Sequence, residues 1–231
     1  MRYSNAAVFE VLPLMTNEKY MFYDRYEAGR DLAEELMHYA DTDAVICAIP
    51  RGGILSGIAV AKRLHLPLEI IIVGTGEHVA NEGSLYYAIT EFGTYEGDEG
   101  VLSDTEVQLG VELAKQKRLA YTDSVKQPDW KGKTIIVVDD GAESGLTIKA
   151  AVQALQTHQP KKIIVALPAA SKSVRQWLEK NVDEVVVIKI EPEFKGIIHE
   201  HFSHYPEVFD KEVRVAYWHA KHLYEQTNDS K

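Results

Sequence analysis

Five short apolar runs alternate with helical patterns along this chain, and this alternation is the feature that most constrains its fold. The runs are rich in Val and Ile and occupy 44–49, 69–73, 134–138, 163–167 and 184–188. The helical patterns occupy 26–39, 54–64, 103–123, 145–157, 171–180 and 210–224. Short apolar runs without strict alternation are typical of strands buried on both faces. Strands separated by helices predict an α/β protein with a doubly wound parallel sheet of about five strands.

The run 134–138 ends in two adjacent acids, Asp139 and Asp140, which a loop of small and hydroxyl residues follows at 141–147. Ligands of open α/β sheets bind at the carboxyl ends of the strands. Backbone amides and hydroxyls at a helix start suit a phosphate, and paired acids suit sugar hydroxyls or a hydrated Mg²⁺. The segment therefore predicts a site for a phosphorylated sugar, although an Asp-Gly turn before a capped helix is the simpler alternative.

A second polar turn follows the run 44–49 and consists of Pro50, Arg51, Gly52 and Gly53. The glycine pair allows the backbone to approach a ligand closely. The planar guanidinium of Arg51 suits phosphate oxygens. On its own this turn could equally be a surface loop, but together with the acidic loop it indicates a second anion-binding element.

These two segments resemble those of the type I phosphoribosyltransferases, and Pro-Arg-Gly-Gly is typical of one bacterial branch of that family. The resemblance covers roughly residues 22–218. It implies a phosphoribosyltransferase-like sheet with a small hood, a homodimer, and Mg²⁺ as cofactor. It also implies binding of phosphoribosyl pyrophosphate (PRPP) and transfer of its phosphoribosyl group to a nucleobase-like acceptor with release of pyrophosphate.

The resemblance also assigns roles to the residues of both loops. Arg51, Gly52 and Gly53 would hold pyrophosphate, and Asp139 and Asp140 would hold the ribose and the metal. The residues expected to bind PRPP form one continuous segment: Asp139, Asp140, Gly141, Ala142, Glu143, Ser144, Gly145, Leu146 and Thr147.

Catalysis is expected to depend on Glu143, Asp140 and Arg51. In relatives that use 6-oxopurines an acid at the place of Glu143 serves as general acid and base, whereas a solvated carboxylate at a helix N-terminus is the alternative. Phe194 lies where the family often covers the base with an aromatic ring from the hood, and simple packing is equally compatible with its position.

The expected organisation is an N-terminal arm at 1–22, a phosphoribosyltransferase-like domain at 23–218, and a C-terminal helix and tail at 210–231. The domain is expected to include a mobile loop at 74–102, with a short hairpin between 86 and 95. Its hood is expected around 190–209.

The chain departs from its branch after the second strand, where Gly74 and Thr75 replace an Arg-Lys pair. Between Arg63 and Lys115 there is no Lys or Arg, and there are ten Asp or Glu residues. Acids near pyrophosphate repel it. The stretch is therefore either a solvated acidic loop or a loop that cannot hold pyrophosphate. The second possibility favours a non-catalytic PRPP or nucleotide sensor, and a ribose-phosphate hydrolase or phosphorylase is a third possibility.

Composition narrows the remaining classes. A net charge of −10 argues against nucleic acid or an anionic membrane as the main partner. Cys47 is the only cysteine, so no internal disulfide forms and a cytoplasmic location is expected. No apolar run approaches the length of a membrane span. His199, His201 and His204 are close enough in sequence for a metal site, but their spacing favours a surface segment.

Overall fold

The computed structural model describes residues 20–80, 83–98, 100–124, 126–192 and 198–228. Strands and helices are each numbered in chain order. The helices are α1 (Arg25–Glu35), α2 (Gly53–Leu64), α3 (Asp104–Thr122), α4 (Leu146–Gln156), α5 (Lys172–Asn181) and α6 (Asp210–Asn228). The strands are β1 (Val45–Ala48), β2 (Leu68–Ile70), β3 (Val73–Ala80), β4 (Gly83–Thr90), β5 (Tyr95–Gly97), β6 (Thr134–Val138), β7 (Lys162–Ser171) and β8 (Glu184–Glu191).

Five of these strands form one parallel sheet in the order β2-β1-β6-β7-β8, which confirms the predicted fold class. From β1 the chain continues to β2 on one side, whereas from β6 it continues to β7 on the other. The topological switch point therefore lies between β1 and β6, where open α/β sheets place their ligand crevice. Both polar loops singled out in the sequence follow these two strands.

Alternate residues of the central strands enter two separate cores. Ile46 and Ile136 pack with α1, α2, α3 and α6 on one face of the sheet. Cys47 and Ile135 pack with α4 and α5 on the other. All four side chains are fully buried, which explains why these strands are apolar without alternation. Burial also raises the pKa of the Cys47 thiol, so this residue behaves as a small hydrophobe.

The expectation of a long loop at 74–102 is wrong for most of that segment. Strands β3, β4 and β5 form a three-stranded antiparallel sheet. The hairpin expected between 86 and 95 corresponds to the β4–β5 pair, in which Ile89 lies opposite Tyr95. Strand β3 was missed because its glycines have low strand propensity. Gly76 lies opposite Tyr87, and a Cβ there would come within 2.3 Å of the Tyr87 hydroxyl. The mobility of this segment stays a prediction.

A buried ion pair joins this smaller sheet to the main one. Glu91, directly after β4, accepts a hydrogen bond from Nε of Arg118 in α3. Arg118 also donates from Nη2 to the Ile70 carbonyl at 2.6 Å. The Ile72 amide donates to Glu91 Oε1 at 3.1 Å. Glu91 and Arg118 are 1% and 2% exposed, so this pair connects the smaller sheet and α3 to the end of β2.

The segment after β8 returns to the chain that precedes α1. The amides of Met21 and Phe22 donate to the His201 carbonyl at 3.0 and 2.9 Å, and the Phe22 and Phe202 rings lie 5.3 Å apart. The predicted boundary between an arm at 1–22 and the following domain stays a prediction, because residues 1–19 lie outside the described part. In the described ranges, no helix is both long and apolar enough to cross a membrane.

Candidate functional site

The two polar loops are in direct contact at the switch point. A Cβ on Gly52 would lie 1.9 Å from Asp140 Oδ2, and one on Gly53 would lie 2.7 Å from Asp139 Oδ1. Neither glycine could carry a side chain without displacing a carboxylate. Two segments that are distant in sequence, and that were predicted separately, thus form one site.

A pocket of about 330 Å³ opens above these strand ends. Its wall includes all nine residues predicted to bind PRPP, together with Ile148. His199 and Tyr205, from the segment after β8, complete the lining. The volume suits a small ligand. In the sequence, His199 belongs only to a weak metal-binding pattern, and Tyr205 belongs to no motif.

The loop at the start of α4 has the features of an anion-binding site. Gly145 has a φ of +81°, and a Cβ there would lie 2.7 Å from Val174 Cγ2, so this position requires glycine. The Ser171 hydroxyl donates to the Glu143 carbonyl at 2.8 Å, which holds the loop against the end of β7. Amides in the first turn of a helix have no intrahelical acceptor and point at the space before it.

Asp139 lies at the bottom of the pocket. Its side chain is nearly buried, and its Oδ1 accepts the Asp140 amide at 2.9 Å. Burial, and next the negative charge of Asp140, raise the pKa of Asp139 well above its usual range. Folding therefore favours the protonated form of this carboxyl, and ionisation at neutral pH opposes folding.

Replacing Asp139 with Asn should raise the melting temperature at neutral pH. Burial raises the folded-state pKa of Asp139. The stability that Asp139 contributes is therefore fully present below its unfolded-state pKa, about 3.9, and is lost as the pH rises through its folded-state pKa. The melting temperature should rise by roughly 2–4 °C for each kcal/mol of ionisation penalty that the substitution removes. This rise should disappear in acid. Thermal unfolding followed by circular dichroism across this pH range measures it. The exposed Asp43→Asn variant is the control, and a gain independent of pH would contradict the assignment.

Asp140 differs from its neighbour in having two side-chain donors on one oxygen. Its Oδ2 accepts from Arg25 Nε at 2.6 Å and from the Tyr205 hydroxyl at 2.7 Å. Arg25 belongs to α1 and Tyr205 to the segment after β8, and neither was a candidate in the sequence. Asp140 therefore joins three elements at the edge of the pocket.

The acid pair fits only one kind of magnesium site. In the described ranges, no three His, Cys, Asp or Glu side chains gather as metal ligands. One oxygen of each aspartate already accepts protein donors. Mg²⁺ usually keeps several waters and binds one or two carboxylates together with substrate phosphates. Asp139 and Asp140 fit such an ion, shared with a phosphorylated substrate, and do not form an all-protein metal centre.

Arg51 lies beside the pocket and outside its lining. Its Nη1 is 3.2 Å from Glu207 Oε1, and both side chains are largely exposed. The glycines that follow it do contact the acid pair. The structure therefore brings Gly52 and Gly53 to the predicted site and directs the Arg51 side chain towards the segment after Tyr205.

The remaining predicted residues have separate outcomes. Glu143, Ser144 and Thr147 line the pocket, with Glu143 half-buried. Phe194 lies outside the described residues, so its base-covering role stays a prediction.

The three histidines of the segment 199–204 do not converge. His199 lines the pocket, His201 Nε2 lies 3.1 Å from Glu191 Oε1, and His204 stacks on Tyr23 with ring centres 5.9 Å apart. Each ring therefore has a different neighbour.

The described acids of the stretch between Arg63 and Lys115 do not face the pocket. Among the described residues of that stretch, none lines it. Glu91 is buried against Arg118. Glu96 Oε2 accepts from Gln153 at 3.0 Å, and its Oε1 lies 3.9 Å from Lys149 Nζ. The reading as a wholly solvated acidic loop is therefore wrong for these two acids, and the reading that the stretch cannot hold pyrophosphate stays a prediction.

Fold and site together define an α/β protein with an acid pair and an anion-type loop at its switch point. The chain belongs to the phosphoribosyl transferase domain family, whose sequence profile matches residues 22–205.

Two curated proteins of Mycobacterium tuberculosis, from strains CDC 1551 / Oshkosh and H37Rv, carry phosphoribosyl transferase as a provisional name. Each is 26% identical to this chain over 211 residues, which is 87% of this chain and 47% of the relative. The chain thus spans about half the length of these relatives. The crystal structure of TT1426 from Thermus thermophilus is similar with a TM-score of 0.70 at 25% identity, over 86% of this chain and 98% of that one.

Proposed function

We propose that this protein binds PRPP together with Mg²⁺ and transfers the phosphoribosyl group to a nitrogenous base. The observation that carries the proposal is the pocket in which the acid pair and the loop before α4 line one wall at the switch point. A phosphorylated sugar needs acceptors for its hydroxyls and donors for its phosphate, and this wall offers both in one segment.

The reaction forms a bond between C1 of the ribose and a ring nitrogen of the base, and it breaks the bond from C1 to the pyrophosphate oxygen. The transition state resembles an oxocarbenium ion, so positioning and charge neutralisation supply most of the catalysis. Ser144, Thr147 and the loop amides hold the 5′-phosphate. Asp139 and Asp140 hold the ribose, and Glu143 exchanges a proton with the base.

Pyrophosphate would leave past Gly52 and Gly53, whose backbone lies against the acid pair. Mg²⁺ bound with the substrate would neutralise part of its charge. Arg51 can contribute only after its guanidinium separates from Glu207. Because that ion pair is exposed, its separation costs little, roughly 0–1 kcal/mol.

A non-catalytic PRPP or nucleotide sensor is the second candidate. Among the described residues that line the pocket, none is Lys or Arg, and Arg51 is directed to Glu207. A pocket without a cation for the leaving group favours binding over turnover. A homodimer and a cytoplasmic location stay predictions under either function.

Calorimetric titration with PRPP in Mg²⁺, followed by a pyrophosphate-release assay with a panel of bases, tests the proposal. We expect the double variant Asp139→Asn, Asp140→Asn to bind PRPP more than about tenfold more weakly, because each lost charge-assisted hydrogen bond contributes about 1.5–3 kcal/mol. The matched control is Asp41→Asn, Asp43→Asn, two exposed acids before β1. Unchanged affinity in the first variant would overturn the site. Binding without turnover would select the sensor.

A further inference from the structure

The carboxylate of Asp140 is held by a clamp formed by Arg25 and Tyr205. The Arg25 Nε and the Tyr205 hydroxyl both donate to Oδ2, at 2.6 and 2.7 Å. The Arg25 Cζ lies 3.4 Å from the centre of the Tyr205 ring. The guanidinium thus contacts the carboxylate and the ring together, and such charge-assisted and cation–π contacts reinforce one another.

Arg25 is itself fixed in place. Its side chain is buried, and its Nη1 donates to the Pro206 carbonyl at 2.7 Å. Its own carbonyl accepts from the buried Ser56 hydroxyl of α2 at 2.9 Å. A Cβ on Gly29 would lie 2.4 Å from the Ser56 carbonyl oxygen, so α1 and α2 are in backbone contact here. The guanidinium therefore projects from a rigid helix pair.

Tyr205 is fixed by an aromatic cluster. Its ring centre lies 4.9 Å from that of Phe202, which in turn packs against Phe22 at 5.3 Å. Burial, and next the charge of Asp140, raise the pKa of Tyr205 far above its usual range. The phenol therefore stays protonated and remains a donor to Asp140 throughout the physiological range.

The clamp occupies one carboxylate oxygen and leaves the other for a ligand. Both donors bind Oδ2 and neither binds Oδ1, and the neighbouring Asp139 carboxyl also shares a side-chain hydrogen bond with Asp140. The Asp140 side chain is 17% exposed, and the residue lines the pocket. A carboxylate held in one orientation before the ligand arrives loses less conformational entropy on binding.

We propose that Arg25 and Tyr205 are positioning residues that orient Asp140 so that Oδ1 accepts a ribose hydroxyl of PRPP. This inference rests on the proposed function and assigns it two residues outside the family's two sequence motifs. A purely structural clamp, which only joins α1 to the segment after β8, is the alternative. The two differ in whether the effect of Tyr205 on PRPP binding depends on the Asp140 carboxylate.

A double-mutant cycle separates these roles. Tyr205→Phe keeps the ring against Arg25 and Phe202 and removes only the hydroxyl. We expect it to weaken PRPP binding about tenfold, close to the lower end of the range for a hydrogen bond to a charged group, and to change turnover at saturating PRPP less than about twofold. In an Asp140→Asn background, the same change should weaken binding less than about threefold, because residues that act through one another are not additive.

Arg25→Lys provides a second, independent variant. Lysine keeps the positive charge but cannot donate along both directions of the guanidinium, towards Asp140 and towards Pro206. We expect it to weaken PRPP binding by at least as much as Tyr205→Phe, although the net charge is unchanged. The matched control is Tyr23→Phe, a phenol on the same surface that is 59% exposed, which should bind as the parent does.

Each result of this experiment decides between the alternatives. Non-additive losses in PRPP affinity, with parental turnover at saturation, support the positioning role. Equal effects of Tyr205→Phe in both backgrounds, or parental affinity in Tyr205→Phe and Arg25→Lys, overturn the clamp inference while the proposed function stands. A parent protein that does not bind PRPP overturns the proposed function and the inference with it.

Discussion

Replacing Glu143 with Gln should lower the turnover number about 10²–10⁴-fold, which is the usual contribution of a general acid or base. Glutamine keeps the size and hydrogen-bonding capacity of glutamate but cannot exchange a proton with the base. PRPP affinity should change little, because the loop amides and hydroxyls hold the phosphate. Steady-state pyrophosphate release at saturating PRPP measures the loss, and calorimetric titration measures the affinity.

The structure shows one loop contact that this substitution leaves in place. The Glu143 carbonyl accepts a hydrogen bond from the Ser171 hydroxyl, and this bond involves the backbone of residue 143. Glu200→Gln is the matched control, because Glu200 is exposed and adjacent in sequence to the pocket residue His199. Parental turnover in Glu143→Gln on every accepted base would reduce Glu143 to a charge at a helix start. No turnover in the parent protein would favour the sensor.

The fold and the main loop were predictable because their signals are local. A strand buried on both faces must be apolar along its length, so the run before Asp139 is visible in sequence. An anion-binding site at a helix N-terminus needs small and hydroxyl residues in consecutive positions. The Pro-Arg-Gly-Gly turn is similarly contiguous. Parallel topology then brings the carboxyl ends of β1 and β6 together, which is why two distant motifs meet at one site.

The clamp was not predictable because its parts are far apart in sequence. Arg25 is 115 residues from Asp140, and Tyr205 is 65 residues from it. In sequence, Arg25 is one cation before a predicted helix, and Tyr205 is one aromatic residue among several. Only the packing of α1 on α2 and the return of the chain after β8 bring them to the same oxygen.

The smaller sheet was missed for a different reason. Its first strand contains glycines at positions 74 and 76, which have little strand propensity and read as a loop. The strand forms because β4 offers a partner with aromatic side chains, and Tyr87 lies over Gly76. The acids of this stretch suggested solvation, yet Glu91 is almost fully buried. Its partner Arg118 lies just beyond the cation-free stretch, so a local count of charges could not reveal the pair.

Replacing Arg118 with Met should lower the free energy of unfolding by about 3–5 kcal/mol, the usual cost of removing one partner from a buried ion pair. Methionine approximates the volume of the arginine stem but leaves Glu91 without its cation in a closed environment. Burial, its largest influence, already raises the pKa of Glu91 above its usual range. Loss of Arg118 removes the opposing contribution. Denaturant unfolding followed by circular dichroism measures the change.

Two further variants decide whether burial is the cause of this loss. Arg175→Met breaks an exposed pair, Arg175 with Glu179 at 2.8 Å, and should cost no more than about 1 kcal/mol. Adding Glu91→Gln to Arg118→Met should restore part of the lost stability, because the charge left behind is then absent. Similar losses in the exposed and buried pairs, or no recovery in the double variant, would contradict this account. The connection of the smaller sheet to the main sheet would then depend on its strand pairing and apolar contacts instead of the ion pair.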